Sequence, residues 1–302
     1  MITNLERVAL LDLVYESMGL NIESRFPGRR TDVLTPEVLK VMQEHPNQVL
    51  VTPKLDGLRK AVLVLPLVDE LLVLELSAKL VIKQVAKIPL RGDVDFKFVC
   101  FDTEYFEGTF YVFDLLAFSQ LSQTSLRQRL GVATLLVQQL SSAIRIKIKP
   151  FYSMDVLMSK AEKRPMTYDD LAEDLWPQIL KLRPQTLIDD VSEELFDGLI
   201  FSFDKQLCLG ETVFGGDYKF KPKRKITVDV LFEQPDLCIV DGKLVGKLLA
   251  PRQDLSSGQI IEVRFQSQRA FKFVRTRQDK TKSNSLGVLK SNWNLWRLPK
   301  FD

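Results

Sequence analysis

Lys54-Leu55-Asp56-Gly57-Leu58-Arg59 follows Pro53 and one apolar run and precedes another, so a lysine sits between two stretches that read as strands. Only a neutral amine attacks, and desolvation or nearby positive charge lowers a lysine from its usual value of about 10.4. Lys54 in that setting could serve as a nucleophile, and Gly57 permits a tight turn that returns Arg59 to the same place. Taken alone, the six residues read equally well as a solvated hairpin turn. Further along, Lys219-Phe220-Lys221-Pro222 precedes Thr227-Val228-Asp229. Alternation along a strand turns Lys219 and Lys221 to one face, where two ammonium groups would converge. Five basic residues stand between Lys219 and Lys225, so a solvated linker or a patch for phosphate backbone is the competing reading.

With these and four further segments, the sequence resembles the covalent nucleotidyltransferase superfamily, which comprises mRNA capping guanylyltransferases and ATP-dependent polynucleotide ligases. The four are Phe101-Asp102-Thr103-Glu104, Tyr111-Val112-Phe113-Asp114-Leu115-Leu116, Phe196-Asp197-Gly198-Leu199-Ile200-Phe201, and the tract from Phe271 to Asn284 that contains Arg277-Gln278-Asp279-Lys280. The resemblance covers most of the chain. It implies that Lys54 attacks the α-phosphorus of a nucleoside triphosphate, giving a lysyl-nucleotide phosphoramidate and pyrophosphate. It further implies that Arg59 contacts the ribose, that Glu104 contacts the ribose hydroxyls or a metal-bound water, and that Phe113 stacks on the base. Asp197, with Glu104, would hold Mg²⁺ or Mn²⁺. Lys219 and Lys221 would face the α-phosphate, stabilise its developing charge and lower the pKa of Lys54 by repulsion. Arg277, Asp279 and Lys280 would orient the β and γ phosphates as a C-terminal domain closes. The family has glycine where Thr103 stands and proline-asparagine where Ser283-Asn284 stands, and here the chain departs from it.

The wording of Lys219-Phe220-Lys221-Pro222, with Thr227-Val228-Asp229 after it, is more similar to capping enzymes than to ligases, as is Phe26-Pro27-Gly28 near the start. The resemblance therefore implies an mRNA guanylyltransferase of compact viral type, with GTP and 5′-diphosphate RNA as substrates. An ATP-dependent RNA or DNA ligase and a non-catalytic RNA-binding subunit are the alternatives. Nothing in the chain reads as an RNA triphosphatase or a cap methyltransferase. Those steps, and any docking to RNA polymerase, would involve other proteins.

The inventory excludes several other chemistries. His45 is the single histidine, and Cys100, Cys208 and Cys238 lie far apart, so a Ser-His-Asp triad, a zinc site and a disulfide framework are not suggested. A net charge of +3 argues against a polybasic coat protein, so any nucleic-acid contact must come from local clustering. The longest apolar stretch, from Ala61 to Leu76, is interrupted by Asp69, Glu70 and Glu75 and is too short to span a membrane. The opening residues place an acid before any apolar core, unlike a signal peptide, and the expectation is a soluble intracellular protein of nucleus or cytoplasm.

The elements that must position these groups follow from periodicity. Residues from Asn4 to Met18 and from Ser125 to Leu140 have a helical period, as do those from Tyr168 to Leu182, and Asp189 to Phe196 reads as a short helix. Thr35-Pro36-Glu37 starts another helix through Met42. Between Gln48 and Leu116 several apolar runs of strand length predict a central sheet. After Pro222 come five short β segments, the pattern of an oligonucleotide-binding (OB) barrel. The expected fold is thus α+β: a nucleotidyltransferase domain of ATP-grasp-like, ligase or capping type over residues 1–225, then an OB-fold barrel over 226–302. The site is expected in the cleft between them.

Overall fold

The structure is a computed structural model describing residues 4–17, 26, 28, 31–90, 96–118, 124–159, 170, 171, 175, 179, 196–206, 216–250 and 252–297. It has a mixed α/β architecture whose contacts gather into two units, 1–165 with 174–220 and 166–173 with 221–302. The helices expected over 168–182 and 189–195 fall largely outside the described residues, and Phe196, assigned to the second of them, instead opens a strand.

In the first unit, α1 (Asn4–Ser17) precedes a two-residue strand β1 (Asp32–Val33). Thr35 accepts from the Val38 amide and Pro36 opens α2 (Pro36–Glu44), whose Leu39 and Met42 are buried. Six strands follow: β2 (Val49–Leu55), β3 (Leu58–Pro66), β4 (Glu70–Ser77), β5 (Ile82–Pro89), β6 (Val99–Phe106) and β7 (Thr109–Phe118). Next come α3 (Leu126–Leu140), β8 (Ile146–Ile148), β9 (Tyr152–Ser153), α4 (Met154–Ser159), β10 (Phe196–Phe203) and β11 (Asp217–Phe220). Ser125 and Gln128 cap α3 reciprocally.

The strands form two sheets, one ordered β5-β4-β3-β6-β7-β8 and the other β1-β11-β10-β2-β9. The first is covered on both faces, which explains why β3 reads as an unbroken apolar run. Val62 and Val64 pack with Ala133, Val137 and Leu140 of α3. Ala61, Leu63 and Leu65 pack the other way with Val14 and Tyr15 of α1.

The second unit contains the five expected strands, β12 (Thr227–Glu233), β13 (Leu237–Val240), β14 (Lys243–Leu248), β15 (Ile260–Ser267) and β16 (Ala270–Thr276). They close in the order β12-β13-β14-β16-β15, with β14 and β16 parallel, as an OB-like barrel. One element was not expected: α5 (Leu286–Trp296). Its Leu286, Leu289, Trp293 and Trp296 join the barrel core, and the two indoles stack at 5.1 Å. Asn and Ser between these positions dilute the apolar period, although the spacing itself is helical.

Gly246 lies inside the barrel, where an added Cβ would overlap the Arg269 carbonyl oxygen and stand 2.6 Å from the Phe271 ring. Gly246→Ala should therefore destabilise the barrel by about 1–3 kcal/mol, read as a lower urea midpoint; an unchanged midpoint would refute the tight approach.

Candidate functional site

Lys54 and Arg59 lie on different sheets. β2 pairs with β10 and β9, β3 pairs with β4 and β6, and the Asp56–Gly57 turn carries the chain from one sheet to the other. The six-residue motif is therefore not a hairpin. β9 covers only Leu50 and Val51 of β2, so the later part of that edge has no strand neighbour among the described residues, a position where Pro53 is tolerated. A Cβ on Gly57 would stand 2.8 Å from Glu104 Cγ and 2.9 Å from the Tyr105 carbonyl oxygen, so this turn accepts only glycine without displacement.

The Lys54 ammonium donates to Asp197 Oδ2 at 2.7 Å and to the Leu55 carbonyl at 3.3 Å. Asp197 reaches it because the β10–β2 ladder shifts register between Phe196 and Gly198. A bulge leaves one residue unpaired and re-aims its side chain, and Gly198, with φ of 148°, supplies the backbone freedom. Lys219 belongs to the same sheet. It is the register partner of Ile200, which in turn pairs with Thr52, two residues before Lys54, so Lys219, Thr52 and Lys54 share a face. Thr52 is buried there, with its hydroxyl making no hydrogen bond.

The other sheet contributes Arg59, Asp102, Glu104 and Phe113. Arg59 donates from Nε at 2.9 Å and also from Nη2 to the buried Asp102 carboxylate. Its guanidinium lies 5.2 Å from the Phe26 ring centroid and 5.4 Å from that of Phe113. Gly28 presses against this pair, for a Cβ there would overlap both Arg59 Nη2 and Asp102 Oδ2. Phe113 owes its direction to a second bulge, where Asp102 pairs with Asp114 while Thr103 pairs with Val112. Val112 and Leu115 both enter the core beneath α3. Simple alternation would have sent Phe113 into that core with Leu115; the extra residue sends it to the opposite face.

Two groups that the sequence reading did not single out complete the constellation. Lys149, just past β8, is held by its amide donating to the Val112 carbonyl at 2.8 Å. Its buried ammonium donates to Glu104 Oε2 at 2.7 Å and lies 5.6 Å from the Phe113 centroid. Burial pulls its pKa below the ordinary lysine value, with Glu104 opposing that shift and Lys54 adding to it. The signal was the alternation through Arg145 and Lys147, which continues to Lys149 on the face away from Ile146 and Ile148. The second group is Asp102. Burial raises its pKa, Arg59 opposes the rise, and Asp114 adds to it. Asp114 is claimed from the far side by the buried Arg129, whose Nε and Nη2 donate to it at 2.7 and 3.0 Å.

In the first unit the structure thus gathers Lys54, Asp197, Arg59, Glu104 and Phe113, with Lys219 on the sheet face of Lys54. The second unit begins at Lys221 and carries Arg277, Asp279 and Lys280. Arg277 donates to Asp279 at 2.9 and 2.8 Å and to Asp229 Oδ1 at 3.0 Å, and Lys280 also donates to Asp229. The hydrogen bond from Arg277 holds the Asp279 carboxyl well below the usual range.

No cluster of three His, Cys, Asp or Glu that could hold a metal ion occurs among the described residues. The two expected ligands, Asp197 and Glu104, each accept from a lysine. Two carboxylates of this kind suit Mg²⁺, which takes one or two protein oxygens and completes its shell with substrate phosphates and water.

The sequence matches no protein-family profile and no curated protein sequence. Among solved structures the chain is similar to "Pmar-Lig_PreS3" at TM-score 0.45 and 11% identity, over 90% of this chain and 71% of that one. It is similar to the ATP-dependent DNA ligase from bacteriophage T7 in complex with ATP at 0.45 and 12%, over 83% and 98%, and to "Pmar-Lig_Pre." at 0.41 and 12%, over 84% and 68%. Values this low do not say which chemistry a chain performs; its side chains must. No helix among the described residues is long and apolar enough to cross a membrane.

Arg129→Met should leave Asp114 buried beside Asp102 without its counter-charge, at a cost of about 3–5 kcal/mol in chemical denaturation. Adding Asp114→Leu should recover most of that loss, and failure to recover any would mean that the pair is not the cause. Lys149 sets a pH dependence. Between its lowered folded value and the ordinary 10.5, the unfolded state binds more protons, so stability rises with pH across that window. Lys149→Met should lack that rise in urea midpoints taken as the pH approaches 10.5 from below; the same slope in both proteins would contradict the assignment.

Proposed function

We propose that the chain is an mRNA guanylyltransferase that forms a lysyl-GMP intermediate on Lys54 from GTP and passes GMP to the 5′-diphosphate end of RNA. The general class, covalent nucleotidyl transfer, is supported by a lysine amine, a stackable aromatic and three arginine- or lysine-bound carboxylates carried on the two sheets of one unit. Lys54 Nζ would attack the α-phosphorus as the bond to pyrophosphate breaks. Before that, the amine must give up a proton and its hydrogen bond to Asp197. Arg59, fixed by Asp102 and flanked by Phe26 and Phe113, would bind the ribose, and Lys219 would offset charge building on the α-phosphate. Asp197 and Glu104 would hold Mg²⁺ or Mn²⁺, which supplies charge neutralisation at the phosphate oxygens. In the second step the β-phosphate oxygen of the RNA attacks the lysyl phosphorus and returns the amine. Arg277, oriented by Asp279, and Lys280 are proposed to bind and orient the β and γ phosphates of GTP.

The choice of GTP rests on Lys149. An ammonium beside the stacking ring offers donors and no acceptor. Guanine presents O6, an acceptor, where adenine presents an amino donor. A site so built favours the base that accepts from it and leaves adenine's donor facing another donor.

Incubation with α-labelled nucleotide and Mg²⁺ or Mn²⁺, followed by denaturing electrophoresis, tests this reading. GTP should label the wild type and not Lys54→Ala; label from ATP alone would make the protein a ligase, and no label a binding subunit. Lys149→Met should weaken labelling by GTP and by inosine triphosphate, which keeps O6, by about tenfold or more relative to ATP. A variant with undiminished preference for GTP would remove Lys149 from base selection.

A further inference from the structure

The outer wall of the barrel carries a charge arrangement that the nucleotide site does not use. Arg264 on β15 and Lys272 on β16 are direct register partners. Their neighbours in the ladder, Phe265 and Phe271, are buried inside the barrel, so the two cations stand together on its outside. Like charges placed directly opposite across an antiparallel pair are destabilising. Neither forms an ion pair among the described residues, and Arg264 Nε is buried with no hydrogen-bond partner. The acid nearest along β15, Glu262, is already engaged: it accepts from Arg275 Nε and from Thr227 Oγ1, each at 2.6 Å. On the other flank of Lys272, one step past the paired Leu248 and Phe271, Leu249 is 61% exposed, and Val274 on β16 is 38% exposed.

We infer that this outer face of β15 and β16 binds the phosphate backbone of the single-stranded RNA substrate, with Arg264 and Lys272 each taking a phosphate and Leu249 and Val274 meeting sugar or base. The inference deepens the proposed function and rests on it for the identity of the polymer. A phosphate on each cation relieves the repulsion between them, so the face is more stable occupied than empty. Guanidinium and ammonium together offer only donors, which suits phosphate oxygens. None of these residues belongs to the nucleotide site, so binding here affects capture of RNA and not formation of the lysyl adduct.

The test uses the full chain and a fluorescein-labelled single-stranded RNA of twelve nucleotides with a 5′-diphosphate, titrated by polarisation over a range of salt. Arg264→Gln with Lys272→Gln should weaken binding about tenfold and lower the log–log salt slope by about 1.4, the contribution of two phosphate contacts on a single strand. Lys79→Gln with Lys83→Gln, which removes the same charge from exposed positions of the first unit, should change neither. Wild-type affinity in the first variant, or equal loss in the second, would overturn the inference. Labelling by GTP is read separately. If the wild type takes no label but the first variant alone loses RNA, the guanylyltransferase reading fails and the RNA surface stands. If labelling is normal and RNA binding is unmoved, the surface alone is wrong.

Discussion

The first unit depends on one stretch of backbone, the passage of residues 49–66 from one sheet to the other through Asp56–Gly57. Strands that belong to separate sheets normally carry their side chains on independent frames. Here a two-residue connection ties the frames together, fixing Lys54 on one and Arg59 on the other within five residues. Gly57 makes this feasible because its backbone runs against Glu104 and Tyr105 with no room for a side chain. The turn therefore sets the separation of the two sheet faces and also touches the carboxylate that anchors Lys149. A change in the turn would move the amine, the guanidinium and Glu104 together, which is how a site made from two sheets keeps one geometry.

Charge inside this unit is arranged in pairs that keep each ion from its neighbour. Asp102 and Asp114 are register partners, both buried, and would repel at close range if either were left alone. Arg59 takes one from the open side and Arg129 takes the other from beneath α3. Arg129 also donates through Nη1 to the carbonyls of Thr124 and Lys205, so each of its three nitrogens is engaged. Arg59 bonds Asp102, and its guanidinium lies beside the rings of Phe26 and Phe113. Removing charge from the buried side would thus loosen the exposed side, although the two arginines do not meet.

Much of this was legible in the sequence, and where it was not the reason is physical. The apolar runs at 61–65 and 110–116 gave away their strands because both faces of that sheet are covered. The five strands of the barrel were equally plain, being short and separated by turns. Bulges were not legible, since an extra residue changes which face a side chain takes without altering composition. The direction of Phe113 and the reach of Asp197 were therefore expected from motif likeness and not from periodicity. Lys149 was overlooked because a lysine closing a basic alternation looks solvated until the strand beside it is known. Its burial comes from Phe113 and Glu104, which are more than thirty residues earlier. The helix at 286–296 escaped for a different reason: its apolar contacts are few and large, and two tryptophans do the packing that a continuous stripe would otherwise announce.

On the proposed reading, three of the cations that would meet phosphate are held by a carboxylate: Lys54 by Asp197, and Arg277 and Lys280 by Asp229. A carboxylate is a fair substitute for a phosphate oxygen in charge and in acceptor geometry, so each of these contacts holds its cation as a phosphate oxygen would. The arrangement costs binding energy, because the nucleotide must displace an existing partner. It gains orientation, because the long lysine and arginine side chains lose their rotamer freedom on folding and not on binding. On the proposed reading this exchange also times the chemistry. Lys54 cannot attack while it donates to Asp197, and an Asp197 engaged, with Glu104, in holding Mg²⁺ or Mn²⁺ would no longer hold the amine.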